Sequence, residues 1–129
     1  MNKKNENYIE SSVAEFVRFM RKTIKKKNYK KKDIFYLSDI PMNYGYKILF
    51  GEKRTRQRDI ILRICLVSHF SISEVQEALK LYEMPILYNK FLRDKILIDA
   101  FKKEKREIEL INKKLLKHKL NPLKSCGNV

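Results

Sequence analysis

Glycine, proline, cysteine and histidine are scarce in this chain of 129 residues, and tryptophan is absent. With three glycines and three prolines, the sequence disfavours glycine-rich phosphate loops and turn-dense all-β folds. No run of about 18 apolar residues exists and the polar N-terminus lacks the apolar core of a secretory signal, so we expect no membrane span. Cys65 and Cys126 lie far apart without metal-binding spacing, which predicts reduced thiols and a cytoplasmic protein.

Residues that carry catalytic chemistry are equally few. His69 and His118 are isolated from each other and from the cysteines, and no cluster of carboxylates accompanies either histidine. A nucleophile, a base and an orienting group are therefore hard to assemble. The sequence predicts a protein that is not an enzyme and that needs no metal or other cofactor.

Acidic residues are outnumbered two to one, with 15 Asp and Glu against 30 Lys and Arg, which gives a net charge of +15. The excess is uneven, because residues 1–32 hold eleven basic and three acidic residues, a net charge of +8. A lysine surface that only improves solubility would be spread more evenly. This pattern favours a polyanionic partner, nucleic acid first and an anionic membrane second.

Apolar residues recur at helical spacing along the whole chain, which predicts an all-α fold of about seven helices. The first helix would be capped by Asn7 and end near Asn28. The others are predicted at 31–38, 42–50, 58–69, 71–81, 89–104 and 107–119. Local signals mark their ends: a left-handed turn at Asp39, Pro41 in the first turn of the third helix, Gly51 after that helix, and a Ser71–Glu74 capping box. Asn89 would cap the sixth helix.

The part of the chain from residue 58 onward looks duplicated. The matching residues are Arg58-Asp59 with Arg93-Asp94, Ile61-Leu62 with Ile96-Leu97, Ile72, Val75 and Leu79 with Ile108, Ile111 and Leu115, and Pro85 with Pro122. We therefore expect residues 1–57 to form an N-terminal unit, residues 58–123 to form two stacked helical hairpins packed on it, and residues 124–129 to fray. Each Asp of the repeated Arg-Asp pair would complement a helix dipole or pair with an Arg of the neighbouring hairpin.

Residues 31–58 have the order of a helix-turn-helix motif: a short helix, a tight turn, a second short helix and a basic connector. The predicted phosphate-binding residues are Lys30, Lys31, Lys32, Lys53, Arg54 and Arg56. The predicted base-reading residues, on the exposed early face of the third helix, are Met42, Asn43, Tyr46 and Lys47. The alternative is that Tyr44 and Tyr46 are packing residues and that Asn43 only solvates the helix.

Residues 30–62 resemble the helix-turn-helix proteins of the phage-repressor family (Cro-like, XRE). The residues that carry this resemblance are Ile34, Ser38, Ile40, Tyr44, Ile48, Gly51 and the basic residues after it. The segments 58–62, 70–79 and 85–100 resemble the "SRDxLLxxxxxxGLSLEExQxLL" and "PL…NxRDAIIxxAL" patterns of bacterial repressor-like proteins, so the resemblance covers about residues 30–123. It implies a transcriptional regulator that binds double-stranded DNA, usually as a homodimer. The C-terminal hairpins would then form the contact with the second copy or with another protein partner.

The chain departs from the family pattern in four places. Asp39 replaces the turn glycine, Pro41 replaces the serine that opens the third helix, and Lys31 or Lys32 replaces the glutamine common at the start of the second helix. Arg56-Gln57 replaces the usual Pro-Ser before Arg-Asp. Pro41 removes a hydroxyl cap and a backbone N–H that could hold a phosphate. An alternative is therefore a degenerate helix-turn-helix that binds proteins, as an adaptor, antitoxin or inhibitor. A second alternative is RNA binding by the same basic face, although the grooves of A-form RNA accommodate a helix poorly.

Overall fold

The computed structural model describes the backbone of residues 3–126 and the side chains of residues 13–126. This part of the chain has seven helices and no strand, which confirms the predicted all-α fold. The helices are α1 (Lys3–Lys26), α2 (Lys31–Ser38), α3 (Met42–Leu49), α4 (Arg58–Val67), α5 (Ile72–Leu81), α6 (Leu92–Phe101) and α7 (Ile108–Lys117). None of these helices is both long enough and apolar enough to cross a membrane.

Two helix starts differ from the sequence prediction. Helix α1 begins at Lys3, upstream of its predicted cap Asn7, whose side chain lies outside the described residues. Helix α6 is capped at Phe91 instead of Asn89. Phe91 has an extended backbone, with φ −89° and ψ 127°, and before it the backbone N–H of Tyr88 donates to the Asp94 carboxylate over 2.9 Å.

The turn between α2 and α3 forms as the sequence predicts, with Asp39 in the left-handed region at φ 56° and ψ 46°. Pro41 is the N-cap of α3 and lies just outside the helix, not in its first turn as predicted, because its ψ of 133° is extended. Gly45 is buried where α3 crosses α2, and a Cβ at this position would overlap the ring of Phe35. A glycine at position 45 therefore lets the two helices approach closely.

Helix α4 is the centre of the molecule. The predicted inward stripe of Ile61, Leu62, Cys65 and Leu66 is buried, and so are all the remaining residues of 59–67. This occurs because α2, α5 and α7 all pack against α4. A helix that is covered on all sides must be apolar nearly all round.

Asp59 and Arg63 are the two charged residues buried on α4, and Arg63 is only 4% exposed. Its guanidinium donates to the carbonyl oxygens of Ser38 at 2.9 Å, Leu123 at 2.8 Å and Lys124 at 2.7 Å. The N–H of Lys124 also donates to Asp59 over 2.8 Å. These bonds hold the backbone of Lys124 in place, whereas the sequence predicts fraying from this residue onward. Residues 127–129 lie outside the described part.

Two reciprocal ion pairs join the hairpins α4–α5 and α6–α7. Arg58 donates to both carboxylate oxygens of Asp94, at 2.6 and 3.3 Å. Arg93 donates to both oxygens of Asp59, at 2.9 and 3.2 Å. The predicted pairing of each Asp with an Arg of the neighbouring hairpin is confirmed.

The same hydrogen bonds recur in both hairpins, which supports the duplication read from the sequence. Arg58 donates to the carbonyls that follow α5, and Arg93 donates to those that follow α7. The buried residue after each hairpin is also held in the same way. The N–H of Leu87 donates to Gln76, and the N–H of Leu123 donates to Asn112, both at 2.8 Å.

Helix α1 packs most extensively against α5. The Phe16 ring meets the Tyr82 ring edge-on, with centroids 4.5 Å apart. At the other end of the contact, Lys26 and Lys27 lie 2.9 and 2.8 Å from the Glu74 carboxylate. Glu74 also completes the predicted capping box with Ser71, which is confirmed. The basic N-terminal helix is thus fixed to the first hairpin by apolar and ionic contacts.

We predict that Asp94→Ala destabilises the fold by about 3 kcal/mol, because it leaves the partly buried Arg58 guanidinium without a carboxylate partner. Glu109→Ala is the matched control. Glu109 is exposed and 3.8 Å from Lys113, and an exposed pair of this kind is worth about 0.5 kcal/mol or less. Urea unfolding measures both values, and equal losses in the two variants would contradict a structural role for the reciprocal pairs.

We also predict that Glu74 makes stability depend on acid pH. Burial raises the pKa of Glu74, but hydrogen bonds from Lys27, Ser71 and Lys26 outweigh it and lower the pKa from 4.5 to about 2. A depressed folded-state pKa stabilises the fold above the unfolded value and loses this effect as pH falls. The difference in unfolding free energy between the wild type and Glu74→Gln should therefore shrink as pH falls from 4.5 towards 2. A constant difference would refute this linkage.

Candidate nucleic-acid interface

The early face of α3 is open to solvent. Met42 is 49% exposed, and Asn43 and Lys47 are exposed as well. Tyr46 is only half-buried, because its ring packs edge-on against Phe35 and stacks on Phe50, with centroids 5.0 and 5.8 Å apart. Three of the four predicted base-reading residues are thus exposed, and Tyr46 also helps to pack α3 onto α2.

Five of the six predicted phosphate-binding residues are exposed, and Lys31 is half-buried; among the exposed five, Arg54 is hydrogen-bonded to the fold. The exposed residues without a bond to another side chain or carbonyl in the described part are Lys30, Lys32, Lys53 and Arg56. Lys31 is half-buried, with its Nζ atom 5.7 Å from the centre of the Phe50 ring. Lys53 lies over the Tyr44 ring at 5.5 Å. Tyr44 lies within α3 and Phe50 directly follows it on a different side, so cations flank this helix on two sides.

Arg54 has a structural task that the sequence did not reveal. Its guanidinium donates to the Tyr82 carbonyl over 2.8 Å and lies 4.3 Å from the centre of the Tyr82 ring. The next residue, Thr55, is buried, and its N–H donates to the Tyr82 hydroxyl over 2.8 Å. Tyr82 thus fixes the basic connector to the end of α5, and the exposed Arg54 is hydrogen-bonded to the fold.

A basic cleft that sequence reasoning missed lies where α1, the loop after it, α2 and α3 meet, with a volume of about 640 Å³. It is lined by Arg21, Lys22, Ile24, Lys25, Tyr29, Lys30, Lys31 and Tyr46. Only Lys30 and Lys31 belong to the predicted phosphate set, and Tyr46 belongs to the predicted base-reading set. The spacing of Arg21 and Lys25, one helical turn apart, is the signal in the sequence that could have pointed to it.

His69 and Cys65, two residue types that often carry catalytic chemistry, contribute to packing in this structure. The His69 ring stacks on Tyr29, with centroids 5.6 Å apart and planes 2° from parallel. Burial, followed by the charges of Arg106 and Lys27, lowers the pKa of His69. Burial raises the pKa of the Cys65 thiol and so keeps it protonated. These groups lie apart from the exposed face of α3.

Comparisons of the chain with protein-family models, curated proteins and solved structures give no significant match.

Arg54 and Arg56 form a matched pair for a test of their different environments. We predict that Arg54→Ala costs about 2 kcal/mol in unfolding free energy, because it removes a charge-assisted hydrogen bond to the Tyr82 carbonyl and a cation–π contact. Arg56→Ala, at an exposed position, should cost at most about 0.5 kcal/mol. Chemical denaturation distinguishes the two, and a neutral Arg54→Ala would show that Arg54 does not hold the connector.

Proposed function

We propose that the protein binds double-stranded DNA through α3 and regulates transcription, as proteins with repressor-like helix-turn-helix motifs do. The observation that carries the proposal is the pair α2 and α3, joined by a left-handed turn, with Asn43 and Lys47 exposed on the second helix. In such motifs the N-terminal part of the second helix enters the major groove. An Asn amide can bond adenine and a Lys can reach guanine acceptors in that groove.

The charge distribution supports the same proposal. The exposed Lys30 and Lys32 lie at the start of α2, and the exposed Lys53 and Arg56 follow α3, so cations lie on both flanks of the helix that would enter the groove. Contacts of this kind to phosphates set the orientation of a protein on DNA without reading its sequence. Sequence preference would then depend on the few side chains on the exposed face of α3.

A protein-binding role is the second candidate, and one observation favours it. Tyr36 is 85% exposed and Leu37 is 52% exposed on α2, close in sequence to the half-exposed Met42 on α3. Exposed apolar side chains on neighbouring helices are typical of surfaces that contact other proteins. Under this alternative the motif would have kept its shape but would select no DNA sequence.

Selection of bound duplexes from a random pool separates the two functions. A DNA-binding regulator should enrich one sequence, in the form of an inverted repeat if two copies bind together. Structured RNA added as a competitor should displace that duplex poorly, because its deep major groove does not admit a helix. A pool without any enriched sequence would contradict the regulator and favour the protein-binding role.

Asn43→Ala provides the residue-level test. We expect it to weaken binding to the selected duplex by about 1–3 kcal/mol and to leave binding to random duplex almost unchanged, since it removes a base contact only. Folding stability should change by at most about 0.5 kcal/mol at an exposed position. Asn89→Ala is the matched control, because Asn89 is also exposed but precedes α6. Equal affinities of the two variants for the selected duplex would exclude base reading by Asn43.

A further inference from the structure

The basic cleft concentrates positive charge in one concave place. Five cationic side chains line it, from α1 (Arg21, Lys22 and Lys25), from the residue before α2 (Lys30) and from its first residue (Lys31). Within the described part of the chain, none of the five forms an ion pair with a carboxylate. Nearby Lys26 and Lys27 differ, because both pair with Glu74. The cleft therefore holds cations that repel one another and that an anion would stabilise.

The cleft is continuous with the face that would read DNA. Tyr46 of α3 forms part of its wall. The Arg21 guanidinium and the Lys31 ammonium lie 5.4 and 5.7 Å from the centre of the Phe50 ring, directly after α3. Phe50 in turn stacks on Tyr46, so α1 reaches the end of α3 through a chain of contacts. A ligand in the cleft would touch α1, α2 and α3 together.

We infer that the basic cleft is a phosphate-binding site, which under the proposed function holds the DNA backbone beside the groove that receives α3. Lysine ammonium groups and the Arg21 fork, together with the hydroxyl groups of Tyr29 and Tyr46, are donors that suit phosphate oxygens. Five cations from two chain segments, α1 and residues 30–31, fit successive phosphates better than one carboxylate. The inference makes α1 part of the DNA interface. Cations of α1 then take the place of Arg54 among the residues that contact phosphates.

The test uses the full chain and a pair of variants with equal loss of charge. Arg21→Gln/Lys25→Gln removes two cations from the cleft, and Lys102→Gln/Lys103→Gln removes two exposed cations between α6 and α7. Each phosphate contact contributes about 0.9 to the slope of log affinity against log salt. The cleft variant should flatten this slope by roughly 2 and weaken selected and random duplexes by the same factor, whereas the control should keep the wild-type slope.

Inorganic tripolyphosphate provides a second arm that does not depend on DNA. In wild type and control, we expect it to shift the backbone NMR signals of residues 21–25 and 30–31, and we expect no such shift in the cleft variant. If duplex binds with an unchanged slope in the cleft variant, the inference is overturned and the proposed function stands. If tripolyphosphate binds the cleft but wild type binds no duplex, the phosphate site stands and the proposed function fails. If neither ligand binds, both fail.

Discussion

Burial of α4 from Asp59 to Val67 is the constraint on which the rest of the structure depends. A helix covered on every side needs partners all around it, and here α2, α5 and α7 provide them. Its one buried guanidinium, Arg63, has to be satisfied by carbonyl groups, because an unpaired buried charge is strongly destabilising. The carbonyls come from the end of α2 and from residues 123 and 124. Arg63 thus ties the turn between α2 and α3 to the C-terminal segment.

The cations of the chain divide by residue type into structural and exposed groups. Of eight arginines, five donate hydrogen bonds to carbonyl or carboxylate oxygens in the described part: Arg54, Arg58, Arg63, Arg93 and Arg106. A planar guanidinium can satisfy several acceptors at once, which suits the crowded ends of buried helices. The available positive charge is therefore mostly lysine, which supports contact with phosphates more than recognition of one precise geometry.

The position of α3 depends on contacts made on its inner side. Gly45 permits a close approach to Phe35, and Tyr46 and Phe50 extend that packing to α1 through Arg21. Residues that set the angle of α3 are thus distinct from Asn43 and Lys47, which remain free to bind a ligand. The first hairpin supports α1 and the connector, so both flanks of α3 are held by the same scaffold. A rigid support of this kind is what a reading helix or a protein-docking helix requires.

The sequence by itself determined the helices, the turn at Asp39, the Ser71–Glu74 capping box and the cross-pairing of Arg58 and Arg93, because these follow from local spacing and from an internal repeat. Base reading by Asn43 and Lys47 and the phosphate contacts remain predictions. Only the tertiary structure decided which cations are available. Arg54 bonds Tyr82, 28 residues away, and Arg21 meets Phe50 across a helix contact. Helical periodicity shows which side of a helix is polar, but it does not show which other segment faces that side.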